Sequence, residues 1–362
     1  MAQLRIPGPT PCPEEVLKAV GKQMVNHRGP EFIALINKVT DQLKQVFKTK
    51  NDLFVLTGSG TGGLEAGVVN VLSPGDKVLS VSIGVFGDRW AQIAQTFGAQ
   101  VVPLKYEMGK AAKPDDIRQA LKADPQIKAV LITHNETSTG VTNDLKALSA
   151  AVKESGKLLL VDAISSLGSI ELPVDEWQVD VAISGSQKGW MVPPGLAFVS
   201  VSPRAWQAFE NAKMPRFYWD FGKAKKYLEK GQTPWTPAVS VLYGLEVALD
   251  MMFKEGLENI VARHKRIGKV AREGVKALGL PLLADEAYAS NTVTAVAEVA
   301  GLESKKLTKV MREEYQIVLA GGQGKLEGKI FRIGHLGLVT EQEIAEVMAA
   351  LKEALPKAGF QG

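Results

Sequence analysis

A lysine between a mostly apolar segment and a tight turn is the first group in this sequence that could do covalent chemistry. Lys188 lies in Ser184-Gly-Ser-Gln-Lys-Gly189, after the mostly apolar residues 179–183 and before the Pro-Pro-Gly turn at 193–195. Burial disfavours an ammonium group and lowers the pKa of a lysine, and the neutral amine can form a Schiff base with an aldehyde. The alternative is an ordinary exposed lysine, because the chain contains 43 lysines and arginines.

A glycine-rich turn, Thr-Gly-Ser-Gly-Thr-Gly-Gly-Leu-Glu, occupies residues 57–65. A strand that runs through glycines into a helix directs backbone N–H groups and the positive end of the helix dipole at an anion. The turn contains the dinucleotide pattern G-x-G-x-x-G, but residues 79–83 supply no acid for a ribose, and no P-loop Lys-Ser/Thr pair follows. A monophosphate bound with the hydroxyls of Ser59 and Thr61 fits better. Tight strand–helix packing without a ligand is the alternative.

An acid follows another apolar segment, since Asp162 comes directly after residues 158–161. Ligands of open α/β sheets bind at the carboxyl ends of the strands. A carboxylate there could pair with a heteroaromatic nitrogen and keep it protonated, because charge pairing is strong in a cleft of low dielectric. A helix cap or an ordinary loop aspartate is the alternative.

A run of polar residues, His-Asn-Glu-Thr-Ser-Thr, follows the apolar segment 127–133 and belongs to a loop at the same edge. His134 and Glu136 suggest a metal or acid–base site, but neither has a partner at ligand spacing, and we expect no metal. Thr137 or Ser138 could donate a hydrogen bond to a ligand oxygen.

The elements that must position these groups alternate between short apolar strands and helices. The predicted strands are 53–56, 78–81, 101–104, 127–133, 158–161 and 196–201. The predicted helices between them are 64–72, 90–97, 115–121 and 144–154. Such alternation indicates right-handed βαβ units, and hence an α/β fold with a mostly parallel central sheet and helices on both faces.

The two ends of the chain have other patterns. The proline-rich residues 7–13 predict an extended arm, and two long helices are predicted at 238–253 and 257–278. Beyond the first of these, strands and helices are mixed. We therefore predict an N-terminal arm over residues 1–15, a large domain over 16–255 and a small α+β C-terminal domain over 256–362.

Composition narrows the class of protein. The 362 residues carry a formal net charge of +4 without a basic stripe, and no apolar stretch approaches the roughly 20 residues that span a bilayer. We therefore expect neither nucleic-acid nor membrane binding. The single cysteine, Cys12, excludes an intramolecular disulfide and fits a reducing compartment. The N-terminus has no secretory or transit pattern, so we expect a cytoplasmic protein.

The phosphate turn, the hydroxyl loop, the acid and the lysine meet at one predicted sheet edge. Pyridoxal 5′-phosphate has a phosphate, a phenolic oxygen, a pyridine nitrogen and an aldehyde that suit all four. These motifs, with Phe331-Arg-Ile-Gly334, resemble the class V aminotransferases of fold type I, in particular the alanine–glyoxylate and serine–pyruvate (serine–glyoxylate) aminotransferase family. The resemblance extends from about Pro7 to Leu351.

The resemblance implies a role for individual residues. Lys188 would carry the cofactor and exchange protons with the substrate, and Asp162 would pair with the pyridine nitrogen. Three groups of residues would complete the cofactor site: Ser59, Gly60, Thr61 and Gln187 at the phosphate, Thr137 at the phenolic oxygen, and Phe86 against the ring. Thr233 and Thr236 would reach the phosphate in a partner subunit, which implies a homodimer with shared sites.

Arg332 is a charged residue within the apolar segment 329–334. Its spacing alone fits an edge-strand arginine that faces water equally well. The resemblance implies that it binds the substrate carboxylate, for which the planar guanidinium is suited because it forms two parallel hydrogen bonds.

The implied reaction moves an amino group from a small amino acid, alanine or serine, to a small 2-oxo acid, glyoxylate or pyruvate. Alternatives on the same fold are a lyase or a hydrolase. A cysteine desulfurase is disfavoured because Cys12 lies in the N-terminal arm and not on a loop near the second domain. From other classes, a nicotinamide oxidoreductase lacks its ribose acid, and a cofactor-binding subunit without catalysis would not need the lysine, acid and arginine together.

Overall fold

The computed structural model describes residues 2–360, in which strands and helices alternate through the first two thirds of the chain. The strands are β1 Gln3–Arg5, β2 Asp52–Thr57, β3 Lys77–Ser82, β4 Gln100–Lys105, β5 Ile127–Thr133, β6 Asn135–Glu136, β7 Val141–Thr142, β8 Leu158–Asp162, β9 Val181–Gly185, β10 Leu196–Val201, β11 Val293–Val296, β12 Ile317–Gly321 and β13 Phe331–Gly334. The helices are α1 Glu14–Val20, α2 Pro30–Val46, α3 Gly60–Val71, α4 Val85–Thr96, α5 Pro114–Ala123, α6 Leu145–Glu154, α7 Pro203–Asn211, α8 Phe221–Leu228, α9 Val239–Glu255, α10 Leu257–Ala277, α11 Ser304–Glu314 and α12 Glu341–Lys357.

The central sheet has seven strands in the order β2-β10-β9-β8-β5-β3-β4. Its pairs are parallel except those of β10, which runs antiparallel to both β2 and β9. In this register Thr133 lies beside Asp162, which in turn lies beside Ile183. The polar ends of β5 and β8 are therefore neighbours, as the apolar segments predicted. The predicted α/β architecture with a mostly parallel sheet is confirmed.

Helices cover both faces of this sheet. One core cluster includes buried residues of α1, α2, α5, α6 and α9, and the other includes residues of α3, α4, α7 and α8. Helix α3 is mostly apolar because it lies against β9 and β10. A Cβ on Gly63 would lie 2.7 Å from Ile183 Cγ2. Glycine at this position therefore lets the first turn of α3 lie close to the sheet edge.

The small sheet has the order β1-β12-β13-β11 and packs against α10, α11 and α12. Strand β1 pairs in parallel with β12, and Gln3 lies beside Ile317. The first residues of the segment that we predicted as an arm thus form an edge strand of the C-terminal sheet. Helix α12 begins with a capping box of Thr340 and Glu343, and short 3₁₀ turns lie at Glu286–Tyr288 and Gly324–Leu326. Among residues 2–360, no helix is long and apolar enough to cross a membrane.

Buried polar contacts join the loop that follows β5 in the large sheet to the segment that leads into β11 of the small sheet. The side-chain amide of Asn135 donates to Thr292 Oγ1 at 2.9 Å, and its carbonyl accepts from Ser290 Oγ at 2.6 Å. The backbone N–H of Ser290 donates to the carbonyl of Gly140 at 2.8 Å. A Cβ on Gly140 would lie 3.1 Å from the backbone nitrogen of Ala295. The polar loop after β5 is therefore packed directly against the small sheet.

Candidate active site

A pocket at the carboxyl ends of β5, β8 and β9 collects most of the residues that the sequence singled out. Seven of the predicted site residues line it: Gly60, Thr61, Phe86, Thr137, Asp162, Gln187 and Lys188. The other lining residues are Leu64, Arg89, Asn135, Ile164 and Ser165. One cavity therefore contains the lysine, the acid, a hydroxyl group of the polar loop and the N-terminus of α3.

Lys188 follows β9 through a short turn and has a partly buried side chain. Burial lowers its pKa to about 8, and the nearby positive charge of Arg332 acts in the same direction. The negative charge of Asp162 opposes this shift. A larger fraction of Lys188 than of an ordinary lysine is therefore the neutral, nucleophilic amine near neutral pH.

The N-terminal arm covers this lysine. Lys188 Nζ donates to the carbonyl of Pro7, and a Cβ on Gly8 would lie 2.6 Å from the same nitrogen. Thr10 fastens the arm, because its N–H donates to the carbonyl of Gln187 at 3.1 Å and its hydroxyl donates to that of Lys188 at 2.9 Å. The backbone of the arm is thus part of the pocket wall around Nζ.

Asp162 ends β8 and is only 3% exposed. Burial raises the pKa of its carboxyl to about 7, and the negative charge of Glu136 adds to this effect. A hydrogen bond from Ile164 N at 3.0 Å and the charges of Lys188 and Arg89 oppose it. Within the described residues, that backbone N–H is the one hydrogen-bond donor to this carboxylate. An additional cationic donor, such as a protonated pyridine nitrogen, would therefore stabilise its charged form.

The glycine-rich turn ends at the first residue of α3. Ser59 is the N-cap residue, with extended backbone angles and no side-chain bond to the helix. The N–H groups of the first turn therefore lack the usual cap, and they point toward the pocket end that Gly60 and Thr61 line. The side chain of Gln187 also lines this end of the pocket, and its amide N–H groups are possible donors. The backbone N–H groups and this amide nitrogen fit an anionic phosphate.

The glycines of this turn have packing roles that the sequence did not reveal. A Cβ on Gly58 or Gly62 would lie 2.8 or 2.7 Å from the ring of Trp219, and a Cβ on Gly60 would lie 2.5 Å from Ile164 Cδ1. We expected the glycines to admit a phosphate. The three glycines of the G-x-G-x-x-G pattern instead admit the side chains of Trp219 at Gly58, Ile164 at Gly60 and Ile183 at Gly63, so the pattern reflects side-chain packing as much as anion binding.

Phe86 lies in the first turn of α4, where its ring lines the pocket. The guanidinium of Arg89 lies 4.7 Å from the centre of this ring, a cation–π contact. The two side chains form one wall of the pocket and add positive potential to it.

Arg332 lies on β13 and is only 4% exposed, so the alternative of a water-facing edge residue is wrong. Its Nε and Nη2 donate to the carbonyl of Gly321 at 3.0 and 2.7 Å, and its Nη1 donates to the carbonyl of Thr137 at 2.8 Å. Burial lowers its pKa to about 10. Since a guanidinium has five N–H donors, these contacts leave one N–H on each terminal nitrogen for a ligand.

Thr233 and Thr236 lie outside the pocket of their own chain. Thr233 Oγ1 donates to the carbonyl of Trp235 at 2.7 Å, and Thr236 is exposed. Because the expectation for both concerns the site of a partner subunit, it stays a prediction.

The sequence interpretation missed Arg89 and Asn135 as pocket residues and dismissed Glu136. Arg89 follows Phe86 by three residues, the spacing that places two side chains on one face of a helix. Asn135 and Glu136 belong to the polar run, whose fold into the β6–β7 hairpin has no clear signal in the sequence. Among the described residues, no group of three or more histidine, cysteine or acidic residues is arranged to bind a metal ion.

Comparisons with known proteins agree with this geometry. The sequence matches the family described as Aminotransferase class-V over residues 4–331. The "Soluble hydrogenase 42 kDa subunit" of Anabaena cylindrica is 48% identical, across 99% of this chain and 94% of the relative. The serine–glyoxylate aminotransferase of Methylorubrum extorquens is 40% identical, across 97% and 90%. The crystal structure of alanine–glyoxylate aminotransferase from Nostoc sp. has a TM-score of 0.94 and 31% identity, and the match covers 98% of this chain and 95% of that one.

These matches confirm the resemblance that the motifs indicated. The chain therefore belongs to the class V family of pyridoxal 5′-phosphate-dependent aminotransferases.

Proposed function

We propose that this enzyme transfers an amino group from a small amino acid, alanine or serine, to a small 2-oxo acid, glyoxylate or pyruvate, in a ping-pong cycle. The observation that supports this most directly is the partly buried Lys188, with its lowered pKa, in one pocket with Asp162 and close to Arg332. The names of the serine–glyoxylate and alanine–glyoxylate relatives support the choice of substrates.

Each side chain has a defined task in this proposal. Bound pyridoxal 5′-phosphate supplies an aldehyde and an electron sink. The first turn of α3, with Thr61, would bind the phosphate, and Asp162 would hold a proton on the pyridine nitrogen. Lys188 would take the proton from the substrate α-carbon and give it to the aldehyde carbon of the cofactor. Its lowered pKa suits both the uptake and the release of a proton near neutral pH. Arg332 would orient the substrate carboxylate.

Visible absorption of the purified protein tests this proposal. With the cofactor supplied, we expect a yellow protein that loses its colour with L-alanine or L-serine and regains it with glyoxylate or pyruvate. The Lys188→Ala variant should show no turnover, because it lacks both the amine that carries the cofactor and the proton carrier. Near-normal activity of that variant would contradict the assignment. Product analysis separates the lyase and hydrolase alternatives, since those enzymes release cleavage products instead of a 2-oxo acid.

The name of the Anabaena relative, a hydrogenase subunit, favours a second candidate, a subunit of a larger assembly that binds the cofactor without turnover. The same experiment separates the two. A stable yellow colour that no amino acid changes, together with co-purification of other subunits from the native host, would favour the second candidate.

A homodimer with shared sites forms part of the proposal. Phe217 and Tyr218 are 68% and 44% exposed, and both stack on Trp235, beside Thr233. An exposed aromatic cluster of this kind is typical of a protein interface. Light scattering of the holoenzyme should give twice the chain mass of 39.0 kDa. The cytoplasmic location expected from the sequence stays a prediction.

A further inference from the structure

Glu136 is a fully buried carboxylate beside the pocket that the proposed reaction does not use. Its hydrogen-bond donors are all uncharged. Oε1 accepts from the N–H of Ser138 at 3.0 Å and from its hydroxyl at 2.6 Å. Oε2 accepts from the N–H groups of Phe86 at 3.0 Å and Gly87 at 3.2 Å. Burial raises the pKa of the Glu136 carboxyl, and these hydrogen bonds oppose that shift. Because a buried carboxylate is costly without such donors, the carboxylate and its four donors hold one another in place.

Two of these donors belong to the first turn of α4. The N-cap residue of this helix, Gly84, has no side chain to accept from them. Glu136, which lies on β6, supplies the missing acceptor. The positive end of the dipole of α4 stabilises the negative charge of its carboxylate. A Cβ on Gly84 would lie 2.6 Å from Cγ and Cδ of Glu136. Glycine at 84 therefore permits the contact, and the contact fixes the backbone of Phe86.

The other carboxylate oxygen fixes the loop that carries Thr137, which also lines the pocket. The Ser138 hydroxyl, which donates to Oε1, also accepts from the N–H of Val85 at 3.0 Å. Thr137 lies between Glu136 and Ser138, and its carbonyl accepts from Arg332. One buried charge thus links the helix that carries Phe86 to the loop that carries Thr137.

We propose that Glu136 is a positioning residue that sets the distance between Phe86 and Thr137, two residues that line the pocket in which the cofactor would bind. This inference rests on the proposed function, since it assigns Glu136 a task in the same site. It goes beyond that function because Glu136 itself would touch neither cofactor nor substrate. Its removal should disturb the orientation of a bound cofactor while Lys188 and Asp162 keep their chemistry.

The Glu136→Gln variant of the holoenzyme tests this proposal. Glutamine has one acceptor oxygen, which can serve either α4 or Ser138 but not both. We expect a changed visible circular dichroism band, because this band reports how the bound cofactor is oriented in its asymmetric site. We also expect cofactor affinity to fall about tenfold, and kcat to fall about 10- to 100-fold with a smaller change in KM.

Asp180→Asn is the matched control. Asp180 is also a buried carboxylate that accepts from a backbone N–H and a hydroxyl, Leu159 N at 2.8 Å and Ser202 Oγ at 3.0 Å. It differs from Glu136 in that it also accepts from the ammonium group of Lys153, and it lies at the opposite edge of the sheet. This variant should lower the unfolding temperature and leave the circular dichroism band, the cofactor affinity and kcat unchanged.

The proposal is overturned if Glu136→Gln behaves like this control, with lower stability but a wild-type band, affinity and kcat. If Glu136→Gln does not fold, Ser138→Ala removes one donor from the same carboxylate. It should change the same three quantities in the same direction by smaller factors, and wild-type values for it would equally overturn the proposal. A wild-type protein without a cofactor band or transamination would instead contradict the proposed function.

Discussion

Arg332→Lys is expected to weaken the reaction of carboxylate substrates although it keeps the positive charge. Three N–H donors of Arg332 bind the carbonyls of Gly321 and Thr137, and one on each terminal nitrogen is left for a carboxylate. A lysine ammonium cannot form the same planar pair of bonds. A hydrogen bond to a charged group contributes about 1.5–3 kcal/mol. Loss of one of the two bonds should therefore lower kcat/KM about 10- to 150-fold.

The assay compares L-serine with ethanolamine, which has the same amine and hydroxyl but no carboxylate. Single-turnover loss of the visible cofactor band gives a rate constant for each amine. The value for serine should fall by the stated factor in the variant, and the value for ethanolamine should stay unchanged. Arg263→Lys is the matched control, since Arg263 also binds a carboxylate and a carbonyl, those of Glu255 and Gly337, outside the pocket.

Equal losses with both amines would refute this reasoning. They would show that lysine at position 332 distorts the pocket through its carbonyl contacts and not through a substrate carboxylate. No loss with either amine would mean that another group binds the carboxylate. Thermal unfolding must be measured in parallel, because each buried carbonyl that loses its donor costs about 1–3 kcal/mol.

Two further predictions concern stability. Burial raises the pKa of Asp162 from 3.8 to about 7. The native cofactor-free protein thus binds the proton more tightly than the unfolded chain, and this stabilisation is lost as the pH rises from about 4 to 7. Over that pH range the unfolding temperature of the wild type should fall relative to that of the Asp162→Asn variant. A difference between the two that does not change with pH would contradict the raised pKa of Asp162. Gly62→Ala should cost about 1–3 kcal/mol and change tryptophan fluorescence, since the new Cβ would lie 2.7 Å from Trp219. Gly21→Ala, whose Cβ would meet nothing closer than 3.6 Å, should do neither.

Much of the fold could be predicted from local patterns. The strands that end at Thr133 and Asp162 are apolar along their length except for Lys128, so the positions of these two residues followed from the sequence. The antiparallel direction of β10 and the β6–β7 hairpin could not be predicted. Both depend on contacts with distant strands and not on the local pattern.

The residues of the candidate site that could be predicted are those whose side chain itself would perform the chemistry. Lys188, Asp162 and Arg332 are of this kind, although their roles still await the experiments above. Residues that act through their neighbours were missed. Glu136 was dismissed because no metal partner lies at ligand spacing, whereas three of its four donors are backbone N–H groups, which almost any residue could supply. Pro7 was missed for the same reason, since it contributes a backbone carbonyl.

The pairing of β1 with β12 has a consequence for the order of folding. The ribosome makes Gln3–Arg5 well before their partner strand, which begins at Ile317. This pairing anchors one end of the arm that covers Lys188, and Thr10 fastens the other end. The arm therefore gains both anchors only after β12 has been made. A chain that terminates before Ile317 lacks both the partner strand of β1 and Arg332.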